Sequence, residues 1–219
     1  MSLRVALYAE GAGEALGAMT LLPPPGEPLQ EEHLGPAHIL VRRLVSDARG
    51  MPEDAVHFVA PLRSDRGPIA RGSMLHTPKS LRRLLMWASA DLRPDLAVVL
   101  VDQDDATQRK RDLDAATEDL VVAHVIAVAV KEFEAWLLAD PAALRNAVGP
   151  TDALPPEPEG LPCGAAKKLL ADLGARWVLG HDGHDAREFR RTIAATCELA
   201  VVAAHSPSFA EFRKEACGS

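Results

Sequence analysis

Apolar residues fall along the chain in two alternating patterns. Four short runs, Leu3 to Ala9, Ala55 to Leu62, Leu96 to Val101 and His124 to Val130, are rich in Val, Ala, Leu or Ile and have the length of buried strands. Between them the spacing turns helical. Residues 36–49 open on Pro36 and set Ile39, Leu40, Arg43 and Leu44 at helical intervals, and residues 78–92 open on Pro78 and repeat Leu81, Leu84 and Leu85 on one face. Asp105 to Leu120 is charged and has few apolar anchors, so it predicts a helix with little to bury. Strand and helix in alternation imply a mostly parallel sheet covered by helices.

After residue 130 the strand pattern stops. Phe133, Trp136 and Leu137 fall at i, i+3 and i+4, and Asp140-Pro141 reads as the N-cap and first position of a further helix. Asp185 with Glu188 spells a capping box for a helix running to about His205, and Ser206-Pro207 begins a last short one. Proline clusters at 23–28 and 151–162 mark rigid loops. The chain therefore divides into an α/β domain, residues 1–140, and a helical C-terminal extension, residues 141–219, packed on it.

A length of 219 residues suits one domain with additions. No uncharged apolar run reaches the roughly 18 residues of a membrane span, and the first residues lead straight into a strand without a secretory leader's apolar core. The expected location is cytoplasmic, with no membrane partner. Cys163, Cys197 and Cys217 are odd in number and form no C-x-x-C pair, which argues against a disulfide framework or a zinc knuckle. A net charge of −7 and only nine Phe, Trp and Tyr residues mean that nucleic-acid binding would need a local basic patch.

Ligands of open parallel sheets bind outside the carboxyl ends of the strands. Here Glu10 follows the first strand, Asp102, Asp104 and Asp105 the third, and Glu132 and Glu134 the fourth. Like charges about 4 Å apart repel by about 4 kcal/mol even at an effective dielectric of about 20, so acids converging on one rim need a cation or raised pKa values. Oxygen donors without Cys or His point to a hard ion, magnesium first. Strand alternation would put Asp102 and Asp104 on one side and turn Asp105 away. Any one of these acids taken alone reads better as a helix N-cap, Asp105 and Glu132 especially; it is the set that points to a metal. In EFE a helix would separate Glu132 from Glu134 by about 200° and leave one facing the site, whereas an extended pair would present both.

VALYAEGAGEALG also invites comparison with a dinucleotide loop. Its third glycine, Gly17, falls one place late for G-x-G-x-x-G, LLPPPGEP follows where a helix should continue, and Glu10 would oppose a pyrophosphate. Gly11 and Gly13 are better read as room for a sharp turn and a close ligand behind Glu10.

Glu-Gly after the first strand, Asp-x-Asp after the third and a later glutamate pair resemble the Toprim fold of topoisomerases, primases and overcoming-lysogenisation-defect nucleases. More closely, EGAGE, VDQDD, AVAVKEFEAWLLAD, the Lys167 region and SPSFAEF together resemble a bacterial domain-of-unknown-function family of Toprim-like proteins often encoded beside AAA or ABC-type ATPases. The resemblance implies a Toprim-like, mostly parallel four-stranded sheet with a helical C-terminal extension. It also implies one or two Mg²⁺ (or Mn²⁺) ions, with Asp102 and Asp104 as principal ligands and Glu10 as ligand or general base. Glu134, or less readily Glu132, would complete a second ion's shell, and Glu14, one turn beyond Glu10, could reach the same ion. The activity implied is phosphodiester hydrolysis on DNA or RNA with an ATPase partner, and a homodimer is compatible with it. The PPPGEP loop departs from the family pattern just after the first acid.

An anionic substrate needs cations, and PLRSDRGPIARGSMLHTPK offers Arg63, Arg66, Arg71, His76 and Lys79; the same residues would suit a solvated loop. The resemblance adds Lys167. Arg109, Lys110 and Arg111 read as a solvated helix face that could extend the patch. HDGHD at 181–185 reads as a loop before a capped helix, and Ser206 and Ser208 lack the His and Asp partners of a nucleophile. Two other readings stand beside the enzyme: a non-catalytic metal-binding or regulatory module of an ATPase system, and a receiver-like phosphoacceptor, which would want an acid pair where the first strand offers Glu10 alone.

Overall fold

The structure, a computed structural model, describes residues 2–19, 21–63, 70–104, 106–151 and 154–217. Strands β1 (Leu3–Ala9), β2 (Val56–Val59), β3 (Leu96–Asp102) and β4 (His124–Ala129) form one parallel sheet in the order β2-β1-β3-β4. Val5 pairs with Phe58 on one side and Leu96 on the other, and Asp102 ends β3 opposite Ala129 of β4. The chain leaves β1 toward β2 and then crosses back to β3. Strand order therefore reverses between β1 and β3, where a crevice opens at the carboxyl ends of such sheets.

The sheet separates two cores, and side-chain alternation along the strands assigns residues to them. Leu3, Val5 and Leu7 of β1 with Leu96, Val98 and Leu100 of β3 face α2 (Pro36–Arg49), after the short α1 (Ala12–Ala15). Ala6, Tyr8, Ala97, Val99 and Val101 face the other way, onto Leu75 of α3 (Ser73–His76), Leu81, Leu84 and Leu85 of α4 (Pro78–Asp91) and Leu113 of α5 (Arg109–Thr117).

The first core continues through α6 (Glu134–Leu138), α7 (Pro141–Val148), α8 (Ala165–Leu179), α9 (Ala186–Thr196), α10 (Leu199–His205) and α11 (Pro207–Ala216). Leu144, Leu170, Phe189 and Phe212 are buried in the same cluster as the strand residues, so these helices complete the sheet's hydrophobic core. Trp136 lies among them, 5.3 Å from Phe209 and 5.7 Å from Phe212, with its indole N–H donating to Ser208 Oγ at 2.8 Å.

Several boundaries differ from the sequence expectation, each for a local reason. The charged helix is shorter, Arg109–Thr117, and Asp105, its expected cap, lies outside the described residues. β2 begins only at Val56, because residues 53–55 form a 3₁₀ turn. The long helix expected to reach His205 breaks after Thr196, where Cys197 turns extended. Arg43 of α2 receives that break, donating to Ala194 O at 2.8 Å and Cys197 O at 2.7 Å, and Asp140 accepts from Glu198 N at 2.8 Å. Asp140 and Asp185 cap α7 and α9 as expected, whereas Glu188 pairs with Arg191 instead of closing a capping box.

A bridge between Leu16 and Leu34 ties the segment after α1 to the start of α2. It requires glycine. A Cβ on Gly17 would lie 2.5 Å from Glu32 O, and one on Gly35 would lie 2.4 Å from Glu14 O. Among the described residues no helix is long and apolar enough to cross a membrane.

Candidate functional site

The crevice between β1 and β3 is lined by the acids that end those strands. Glu10 follows β1 with its backbone still in the ladder, donating to Leu100 O at 3.0 Å, and its Oε2 accepts the N–H of Asp102 at 2.9 Å. Asp102 in turn accepts the N–H of Phe133 on Oδ1 at 2.8 Å. Thus the ends of β1, β3 and β4 are stitched together by carboxylates. His76, at the end of α3, brings Nε2 to 2.6 Å from Glu10 Oε2, a close contact not aligned as a hydrogen bond.

Glu14 and Glu134 close the other side. Glu14 is buried in α1, and its Oε2 accepts from Gly11 N at 3.2 Å. A Cβ on Gly11 would come 2.4 Å from Glu14 Oε1, so a side chain there would push this carboxylate aside. Glu134, 1% exposed at the first turn of α6, meets Arg190 of α9 through Oε1 at 3.2 Å, while its Oε2 is buried without a hydrogen-bond partner.

The four carboxylates feel one another. Burial, then repulsion from Glu14 and Glu10, pushes Asp102 up to about 8 against the pull of the Phe133 N–H. Burial also pushes Glu14 up to about 7, with Glu134 and Glu10 adding to the effect and the Gly11 N–H and Lys167 opposing it. Two acids titrating near neutrality at one rim mark a site short of positive charge.

Glu10, Glu14, Asp102 and Glu134 are thus brought together; Asp104 and Glu132 face elsewhere. β3 ends at Asp102, and Asp104 takes a left-handed conformation (φ 49), so strand alternation no longer governs its direction. Its carboxylate is 47% exposed and pairs with Arg109 at 3.1 Å. Glu132 instead spends both oxygens on α8, accepting from Gly164 N at 2.6 Å and Lys167 N at 2.9 Å. Of the two glutamates in EFE, one anchors a helix and one faces the acids.

Among the basic residues, Lys167 lies exposed on the first turn of α8, within electrostatic reach of Glu14. Arg109 bonds the Asp102 carbonyl as well as Asp104. Arg71 and Lys79 are exposed on either side of α3. Arg63 turns to the proline-rich loop, donating to Leu22 O at 3.0 Å, and Arg66 lies outside the described residues. A cavity of about 360 Å³ is lined by Pro78, Thr107 and Gln108 together with His76 and Arg109, which contact Glu10 and the Asp102 carbonyl. Arg190 is the functional candidate that sequence reasoning missed. It sits on a helix in the extension, and nothing in its spacing relates it to strand ends.

Trp177 and His181 stack at 4.3 Å beside His184, and Ser206 and Ser208 both donate to Glu159, so the histidines of the 181–185 loop pack on Trp177 and the two serines hold a carboxylate of the preceding loop.

As the side chains stand, no three His, Cys, Asp or Glu groups among the described residues are gathered tightly enough to hold a metal ion. The cause is visible in the contacts: Gly11, Asp102 and Phe133 N–H groups and Arg190 each hold one carboxylate. The donor chemistry nonetheless fits a hard divalent cation. It consists of carboxylate oxygens, two of them on acids driven toward protonation, and one buried oxygen of Glu134 that nothing satisfies.

Residues 37–215 match the family model described as Domain of unknown function (DUF4276), a span that includes Asp102, Glu134, Lys167 and Arg190 and begins after Glu10 and Glu14. No curated protein matches the chain. Among solved structures, the C-terminal region of the Burkholderia pseudomallei OLD protein is similar at 12% identity and a TM-score of 0.39, covering 100% of both chains.

Proposed function

The chain belongs to the DUF4276 family, and we propose that its acid rim supports metal-dependent hydrolysis of phosphodiesters, with DNA or RNA as substrate and an ATPase as working partner. One observation carries this reading: carboxylates from three strand ends converge at the point where strand order reverses, and two of them are driven toward neutral pH by burial and mutual repulsion. The Toprim-like motifs of the sequence support the same reading, and the ATPase partner rests only on the resemblance to a family often encoded beside ATPases.

A bound Mg²⁺ or Mn²⁺ would lower the pKa of an attacking water and neutralise charge on the phosphate. The chain's own residues would do the rest. Asp102, Glu14 and Glu134 would hold the ion. The partly exposed Glu10, whose Oε2 accepts the Asp102 N–H, would take the proton from the water on its other oxygen. Arg109 and Lys167 would orient the phosphate, and exposed Arg71 and Lys79 would meet the flanking backbone.

The test is incubation of the purified protein with plasmid, linear and single-stranded DNA and with RNA, in Mg²⁺ or Mn²⁺. Cleavage that falls at least about 100-fold in Asp102→Ala is the expected result. The engaged carboxylates and the charge of −7 favour a second reading, a metal-binding regulatory module without catalysis. Mn²⁺ binding with no cleavage, even with the ATPase added, would establish that module in place of the enzyme.

A further inference from the structure

The Arg190–Glu134 pair stands out because it joins the helical extension to the acid rim. Arg190 NH1 lies 3.2 Å from Glu134 Oε1, and the two side chains are 17% and 2% exposed. The guanidinium passes so close over α1 that a Cβ on Gly13 would meet NH1 at 3.2 Å. Nor is α9 free to swing Arg190 away. Phe189 beside it is fully buried, Arg187 donates to Gly17 O at 3.4 Å, and Arg191 donates to Glu31 O at 3.1 Å. Positions 187, 190 and 191 share one helix face, and Arg187 and Arg191 tie that face to the segment just after α1 and to the turn before α2.

We infer that Arg190 is a resident cation of the rim, so that the site accepts a single divalent ion where four carboxylates would otherwise accommodate two. Glu134 would serve both cations: Oε1 belongs to Arg190, and the buried, unpartnered Oε2 is the oxygen left to hold a metal. A second ion placed against Oε1 would have to displace a guanidinium held by an anchored helix, or sit beside its positive charge. Arg190 is a positioning residue here, acting through Glu134. The inference rests on the rim binding a divalent cation, as proposed above.

Mn²⁺ titration of the full chain by calorimetry, with bound metal counted independently by elemental analysis after desalting, tests it. Wild type and Arg190→Lys are expected to bind one ion, and Arg190→Gln two. Arg190→Gln should also melt lower than wild type in EDTA and recover most of that loss in Mn²⁺. Glu134→Gln, which keeps the fold's shape, should still bind one ion, at least tenfold more weakly. Two ions in wild type, one ion in Arg190→Gln, or unchanged affinity in Glu134→Gln would overturn the inference while leaving metal binding intact. No Mn²⁺ bound by wild type would overturn both.

Discussion

His38 is fully enclosed in α2, its ring edge-on to Phe58 at 4.7 Å, and neither ring nitrogen has a hydrogen-bond partner; the Ala15 backbone is close enough to favour the charged ring slightly but makes no well-formed bond. Burial, with Arg42 adding to it, lowers its pKa to about 3. Below the ordinary histidine value of about 6.5 the unfolded chain takes up a proton that the folded chain refuses, so stability is full above that pH and is lost as pH falls toward 3. His38→Leu should therefore gain about 2 kcal/mol relative to wild type between pH 7 and pH 5, read from urea denaturation at both. A constant difference between the two proteins would mean that His38 reaches water. At this scale the sequence showed which acids end strands, but it left open whether one or both glutamates of EFE would face them, because that depends on whether the segment is helical or extended. It could not show that Asp104 leaves the strand direction, because that follows from a left-handed residue beyond the end of β3, nor that Arg190 arrives from another helix.

At the scale of elements, helix starts were legible wherever the capping residue is local, as at Asp140-Pro141 and Asp185. α8 shows the opposite case. Its N-cap is Gly164, which has no side chain, and Glu132, far back in the chain, supplies the missing acceptor to both the Gly164 and the Lys167 N–H groups. A carboxylate at a helix N-terminus also meets the positive end of the helix dipole. The same long-range logic hid the break between α9 and α10, since the freed carbonyls of Ala194 and Cys197 are received by Arg43 of α2. Glu132→Ala should cost about 1–2 kcal/mol in urea denaturation, because it removes the buried charged acceptor of two helix-end donors. It should also loosen the first turn of α8, raising amide exchange at Lys167 and Lys168 before the rest of the helix. Exchange unchanged there would show that the helix end is held by something other than Glu132.

For the molecule as a whole, alternation of apolar runs was enough to predict a parallel sheet between helices, but the order β2-β1-β3-β4 emerges only when each strand's two faces are shared between two cores. That order sets Glu10 beside Asp102 and so creates a global dependence on pH. Both Asp102, pushed up to about 8, and Glu14, pushed up to about 7, keep a proton in the folded chain that the unfolded chain sheds near pH 4. Their contribution is present at acid pH and is lost as pH rises through those values. Below pH 6.5 His38 works in the opposite direction, and above it the unfolded chain's ring sheds its remaining protons, a counter-effect of only about 0.4 kcal/mol. The acid rim therefore dominates the window from pH 6.5 to 8. In EDTA the stability of wild type should fall by about 2 kcal/mol across that window, most of it through Asp102. Asp102→Asn, which cannot ionise, should lose the larger part of this slope. Saturating Mg²⁺ should remove the loss in wild type, because an ion that binds only the folded, ionised rim offsets the repulsion that deprotonation creates. A profile that is flat in EDTA would mean that the carboxylates are solvated separately, and a slope unchanged by Mg²⁺ would mean that the rim does not take the ion.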